Sequence, residues 1–365
     1  MIEGQRNSGL DLFRFAAIGL VLMSHSRHIF EWYDIPGWNW WWLSVGGYLG
    51  VEIFFVLSGF LIGRILFRDV FFTLKPAWNS LWRFFIRRWF RTLPMYYLVL
   101  LVTFFISIWQ GGAQHASWLH LFFLQNFNRE ALTFFPVSWS LSVEEWFYLL
   151  IPLSIWCILQ TGASLGLRKP PWGWLIPAMI ILTVLVRAYT VSIFPDLTWG
   201  DVRKTIFLRF DSLLLGVFGA YVNLYHSRIF LAIAELKFLL PSLFGISGLI
   251  AYYYILGQSG LDSSFFAKAF MFNLTSCFLL PPLAYCTLRC EFRSLGVTYG
   301  SVLSYGIYLI HFQFLRHFIQ LSNEHHKILV SIGLWLVFLS ITVFVSFLLY
   351  RFYEYPVMRI RDRFS

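Results

Sequence analysis

Charge is what this chain has least of. Only 13% of its 365 residues are Asp, Glu, Lys or Arg, against about 25% in a soluble domain. With 58% hydrophobic residues, that shortage excludes a soluble globular protein. Several windows exceed the roughly 18 apolar residues that mark a membrane span. Acidic residues are the scarcer sign, 18 against 28 Lys and Arg, leaving a net charge of +10. In a soluble protein that excess would point to nucleic acid. In a membrane protein it follows from cytoplasmic loops collecting Lys and Arg, so no nucleic-acid partner is expected. Cysteine is sparse too. Cys157, Cys277, Cys286 and Cys290 form no CxxC pair and sit among apolar neighbours, which reads as small buried hydrophobes rather than a metal centre. His325 and His326 beside Glu324 read as a short polar loop, so no metal site is expected. The opening MIEGQRNSGLDLF lacks the ordered parts of a removable signal peptide, so the first apolar helix is expected to stay as an anchor.

What is present is an all-α pattern, a polytopic membrane helix bundle expected to form one domain over residues 1–365. About ten spans can be read, near 10–30, 46–67, 93–110, 143–160, 173–194, 206–225, 238–257, 267–288, 299–318 and 328–350. The fourth is short and interrupted by Pro152. No soluble appendage, low-complexity tract or repeat is visible. Basic residues set the orientation: Arg68, Lys75, Arg83, Arg87, Arg88 and Arg91; Arg168 and Lys169; Arg289 and Arg293; and Arg351, Arg359, Arg361 and Arg363. With ten spans these fall on one side together with both termini, and that side should be the cytoplasm of a cell (inner) membrane. The tryptophans of EWYDIPGWNWWW fall on the other side and fit an interfacial aromatic belt.

Within this apolar background a few ionisable residues stand out. Arg14 and His25 lie eleven positions apart in the first span. Three helical turns take 10.8 residues, so the two share a face about 16 Å apart along the axis. Read alone, Arg14 fits a snorkelling interfacial arginine and His25 a hydrogen-bonded core histidine. Glu52 enters the second span early, and Ser58, Gly59 and Phe60 make a small-residue notch. A notch admits a neighbouring helix or a slender ligand. Arg87, Arg88 and Arg91 precede Pro94, where the next span is expected to begin. They satisfy the positive-inside rule and also suit phosphate groups. In PVSWSLSVEEWFYLLIPL, Ser140 or Ser142 is placed to cap a helix, the latter with Glu145 at the third position. Glu144 lies between Trp139 and Trp146 and enters the span on the side His25 approaches.

Taken together these residues resemble the acyltransferase-3 family of integral-membrane acyltransferases. The resemblance rests on the arginine–ten residues–histidine pair (Arg14, His25), SGF (Ser58–Phe60) and RRxxR (Arg87, Arg88, Arg91). It extends to WSLSVEEWFYLL (Trp139–Leu150), RFDSLLLG (Arg209–Gly216), SYGIYLIH (Ser304–His311) and YEYP (Tyr353–Pro356). The motifs run in order over nearly the whole chain. The resemblance implies an acyl-CoA donor, most simply acetyl-CoA, bound from the cytoplasm, with no tightly held cofactor. It implies a hydroxyl acceptor, often a sugar of a surface glycan. Many members add an extracytoplasmic esterase-like domain, and none is expected here. On this reading His25 is the general base and Arg14 steadies the donor or the oxyanion. Glu144 orients His25 or binds acceptor hydroxyls. Arg87, Arg88 and Arg91 hold the CoA head, with Ser58, Gly59 and Phe60 beside the pantetheine arm. Glu52, Trp139, Ser142, Arg209, Asp211 and His311 line the substrate cavity. An acyl-enzyme on Ser24 or Ser58 stays open. Competing readings are a transporter or flippase without chemistry, or an inactive sensor or scaffold.

Overall fold

A computed structural model describes residues 7–33, 40–71, 76–109, 117–127, 129–165, 172–292, 294–325 and 327–361. Lys75, Arg168, Lys169, Arg293, His326 and Arg363, and the middle of the tryptophan-rich loop, lie outside them. Among the described residues there are helices and no strands. In chain order the helices are α1 (Ser8–Ser26), α2 (Ser44–Ile65), α3 (Trp78–Trp109), α4 (Arg129–Phe134) and α5 (Ser138–Ser164). Then come α6 (Trp172–Ile193), α7 (Trp199–Lys204), α8 (Phe210–Tyr225), α9 (Ser227–Ile233) and α10 (Leu236–Ser263). The last five are α11 (Phe265–Ala269), α12 (Met271–Arg289), α13 (Leu295–His325), α14 (Ile328–Leu349) and α15 (Tyr355–Arg361).

Among the described residues eight segments are long and apolar enough to cross a membrane, against about ten expected: those built on α2, α3, α5, α6, α8, α10, α12 and α14. The first and ninth expected spans are also helices, α1 and α13, but fall short of that apolarity. Asp11, Arg14 and His25 dilute α1, and polar residues spread along α13, among them Ser301, Ser304, His311, Gln313, Arg316 and His317, dilute it. The chain is a multi-pass helical membrane protein.

Two boundaries differ from the sequence reading. The third span does not begin at Pro94, because α3 starts at Trp78 and runs through the proline for 32 residues. Likewise α5 passes through Pro152 for 27 residues. A proline deletes one backbone bond, and membrane helices tolerate the loss because neighbouring groups re-satisfy the freed carbonyl. Neither Ser140 nor Ser142 caps α5, since the helix already begins at Ser138, whose hydroxyl donates to the Phe135 carbonyl at 2.7 Å. In α10 the helical path breaks at Gly257, with φ 64° and ψ −177°, a conformation essentially reserved for glycine.

The contacts divide the chain into two compact units, each assembled from three segments. The first holds residues 1–13, 52–87 and 139–292. Its centre is the crossing of α2 and α8, where a Cβ on Gly59 would stand 2.0 Å from the Leu213 carbonyl oxygen and one on Gly216 2.1 Å from that of Val56. Only glycine permits so close an approach. The most apolar stretch of α8 is 72% buried and that of α10 only 11%, so α8 is core and α10 turns apolar side chains outward, as lipid contact requires.

The second unit holds residues 14–51, 88–138 and 293–365. Here α1 and the start of α2 pack antiparallel. A Cβ on Gly46 would meet the Leu20 carbonyl and one on Gly50 that of Ala17, each at 2.7 Å. Ile29, Leu315 and Phe338 form a fully buried cluster beside the end of α1. The two hydroxyls of Tyr305 and Tyr353 donate to the Thr92 and Pro94 carbonyls of α3, at 2.8 and 3.3 Å.

Candidate functional site

In the second unit, the shared face of Arg14 and His25 turns toward α13. Arg14 Nη1 donates to the Ser301 hydroxyl at 3.2 Å, and His25 Nδ1 lies 2.7 Å from His311 Nε2. Numbering rises together along both helices, so α1 and α13 run parallel here, and three turns of one match three turns of the other. The two imidazoles are inclined by 8° with centroids 5.0 Å apart. That separation is the N···N distance plus the two ring radii, so the rings meet edge to edge in nearly one plane. His311 is fully buried and His25 partly so. His311 Nδ1 sits 2.8 Å from the Tyr308 carbonyl and 3.1 Å from that of Ile307. Gly47 passes the other edge of His25, where a Cβ would stand 3.9 Å from Nε2.

The arginine cluster lies on the unbroken α3. Arg87 and Arg91 are exposed and Arg88 partly buried. Arg91 also interacts electrostatically with Glu354, in the π-helical turn Tyr350–Glu354 that follows α14.

The first unit holds a separate polar interior. Glu144 accepts hydrogen bonds from the Ser58 hydroxyl at 3.1 Å and the Tyr148 hydroxyl at 2.8 Å. Glu52 is fully buried and ion-paired to Arg209, and also accepts from Ser212 at 2.9 Å and Ser276 at 3.2 Å. Arg209 stands over the Phe272 ring at 4.0 Å. Asp211 pairs with Arg187 at 2.9 Å, both fully buried, while Arg187 donates to the Ala269 and Leu208 carbonyls at 2.8 Å each.

The residues expected to line a cavity or hold the donor have these surroundings. Glu52, Arg209 and Asp211, expected to line a substrate cavity, are fully buried and ion-paired. They are shut in an interior ion network, the arrangement that keeps buried charges tolerable. At the Ser58–Phe60 notch, expected beside a pantetheine arm, α8 approaches Gly59 closely and Phe60 stacks on Phe230 with centroids 5.9 Å apart. Ser142 is fully buried and Trp139 nearly so, the Trp139 ring facing the Arg203 guanidinium at 5.1 Å.

The profile of the acyltransferase domain of the acyltransferase-3 family matches residues 7–351. The chain belongs to the acyltransferase-3 family. Among the relatives of this family member is the O-acetyltransferase OatA of Staphylococcus aureus strain NCTC 8325 / PS 47. It is 24% identical over 378 residues, a match covering 96% of this chain and 57% of OatA. OatA of strain COL matches with the same values. The chain thus spans a little over half the length of the curated relatives it matches. No solved structure matches it.

Sequence reasoning missed Arg187, Ser301 and Tyr148 as parts of this polar machinery. Arg187 carried a signal, a lone arginine in the apolar run ILTVLVRAYTVSI, since an ionisable group at membrane depth asks for a partner. Ser301 and Tyr148 carried none, because a serine or tyrosine in a membrane helix is common.

Proposed function

We propose that this acyltransferase-3 member moves an acyl group, most simply acetyl, from cytoplasmic acyl-CoA to a hydroxyl of a cell-surface glycan or related acceptor. The reaction balances as R–OH plus acyl–S–CoA giving R–O–acyl plus HS–CoA. His25 takes the proton of the acceptor hydroxyl as its oxygen attacks the thioester carbonyl. The carbon–sulfur bond then breaks, and the leaving thiolate recovers the proton. A positioned base of this kind contributes about 10²–10⁴-fold. Arg14 supplies positive charge for the donor or the developing oxyanion. Arg87, Arg88 and Arg91 hold the phosphates of CoA through charge-assisted hydrogen bonds. Glu144, which already accepts from two hydroxyls, is a carboxylate suited to acceptor hydroxyls. The protein sits in the cell membrane with both termini in the cytoplasm.

The observation that carries this reading is that Arg14 and His25 turn together to one helix, with the histidine held by a second imidazole rather than left as an isolated core residue. Family membership supports the chemistry, and the relatives named O-acetyltransferase support the acetyl group. The test is incorporation of radiolabel from acetyl-CoA into membrane lipids and surface glycans, in membranes carrying the protein or its His25→Gln variant. Ester-linked label with the wild-type protein alone, matched by CoA thiol release, is the expected result. Transport of a solute with no thiol release by purified protein would instead make the chain a transporter.

A further inference from the structure

Two imidazoles 2.7 Å apart can share only one proton along the line between them, and the far side of His311 says whose it is. His311 Nδ1 points at two backbone carbonyls, Tyr308 at 2.8 Å and Ile307 at 3.1 Å. A carbonyl oxygen accepts and never donates, so Nδ1 carries the hydrogen. His311 is fully buried, and its polar contacts among the described residues are those two carbonyls and His25, with the rings of Tyr308 and Phe312 around it. A charged ring costs most in such surroundings. The neutral ring, protonated on Nδ1, has its lone pair on Nε2. The proton in the contact therefore belongs to His25 Nδ1, and the lone pair of His25 lies on Nε2.

From this we infer that His311 is the positioning residue of the reaction: its Nε2 accepts from His25 Nδ1, fixing the tautomer and ring plane that make His25 Nε2 the basic atom. The inference rests on the reading of His25 as the base. It assigns to a neutral histidine the task that a carboxylate performs in the serine hydrolases. The chain of bonds runs from the α13 backbone, through His311, to His25. Because His311 Nδ1 is tied to carbonyls one turn back on its own helix, the ring is held by α13 itself. The near-coplanar rings put the Nδ1–H bond along the lone pair it meets. When His25 takes up the acceptor's proton on Nε2, its Nδ1–H remains in place, and the same bond strengthens as the ring becomes positive.

The test uses the full-length protein in detergent. Nitrogen-15 NMR of histidine-labelled protein should show His25, identified by the signal lost in His25→Gln, protonated at Nδ1. In His311→Leu the same residue should become a mixture of tautomers. In acyl-transfer assays, His311→Leu should lower kcat about 10²-fold, the low end of what a positioned base contributes, with KM for acetyl-CoA unchanged. His311→Gln, whose amide oxygen can accept the same bond, should recover kcat to within a few-fold. Wild-type His25 protonated at Nε2 would overturn the inference. So would a folded His311→Leu protein with wild-type kcat, or a folded His311→Gln protein as slow as the leucine variant. If His311→Leu does not fold, the wild-type spectrum and the glutamine variant still decide. The two proposals fail separately: full turnover by His25→Gln removes the base, whereas an inactive His25→Gln with the wrong wild-type tautomer removes only the role of His311.

Discussion

At the scale of single residues, the polar side chains of this protein divide by what their removal would expose. Replacing His25 by alanine deletes the proposed base yet removes only one ring from a partly buried position. Turnover should fall about 10²–10⁴-fold, while acyl-CoA affinity and melting temperature, measured on the same preparation, stay near wild type. A parallel fall in melting temperature and folded yield would mark His25 as structural. Arg187 behaves oppositely. Its fully buried pairing with Asp211 means that Arg187→Leu strands a carboxylate, and breaking a buried pair in this way costs about 3–5 kcal/mol. Its signature is a lower melting temperature, and Arg187→Leu combined with Asp211→Leu should regain part of the loss. Arg14 lies between these cases. Lysine keeps the charge but lacks the planar fork, so a severe loss of turnover in Arg14→Lys would show that fork geometry is used.

At the scale of elements, helix contacts in the first unit are set by small residues rather than by large complementary ones. Gly59→Ala drives a methyl group into the Leu213 carbonyl, 2.0 Å from where its Cβ must stand. Backbone cannot yield as a flexible side chain can, so the variant should be destabilised by about 1–3 kcal/mol. Gly248 on α10 has nothing among the described residues within 4 Å of its Cβ position, and Gly248→Ala should be neutral or slightly stabilising through helix propensity alone. Thermal unfolding of both variants in one detergent checks the pair. Equal melting temperatures would mean that the α2–α8 crossing is looser than the structure has it.

At the scale of the whole molecule, the proposed donor capture and orientation both rest on charge distribution rather than on packing. Replacing Arg87, Arg88 and Arg91 together by alanine should weaken acetyl-CoA binding far more than turnover at saturating donor, because charge-assisted contacts to phosphate are lost. Direct binding of acetyl-CoA to purified protein reads this, and unchanged affinity would leave the cluster as a topological marker. The same basic segment, 68–91, should face the cytoplasm. A cysteine introduced at Ser80, after removal of the four native thiols, should resist an impermeant thiol reagent added outside intact cells. Labelling from outside would reverse the orientation.

Much of this protein was already written in its composition and spacing. Scarce charge with long apolar runs determines a helical membrane protein, because an unsatisfied backbone cannot enter lipid. The eleven-residue step from Arg14 to His25 determines that both side chains share a face, because helix geometry is local. The ordered motifs identify the family. Tertiary structure alone decided what that face meets. His25 finds its partner 286 residues away in sequence, and no periodicity in α1 encodes a contact with α13. For the same reason Glu52, Arg209 and Asp211, legible as ionisable residues at membrane depth, could not be told apart as cavity lining or interior lock. A carboxylate's role depends on which guanidinium the fold brings to it. Even Pro94, read as a span boundary, and Pro152, read as an interruption, lie inside continuous helices, since a membrane helix tolerates the one lost backbone bond.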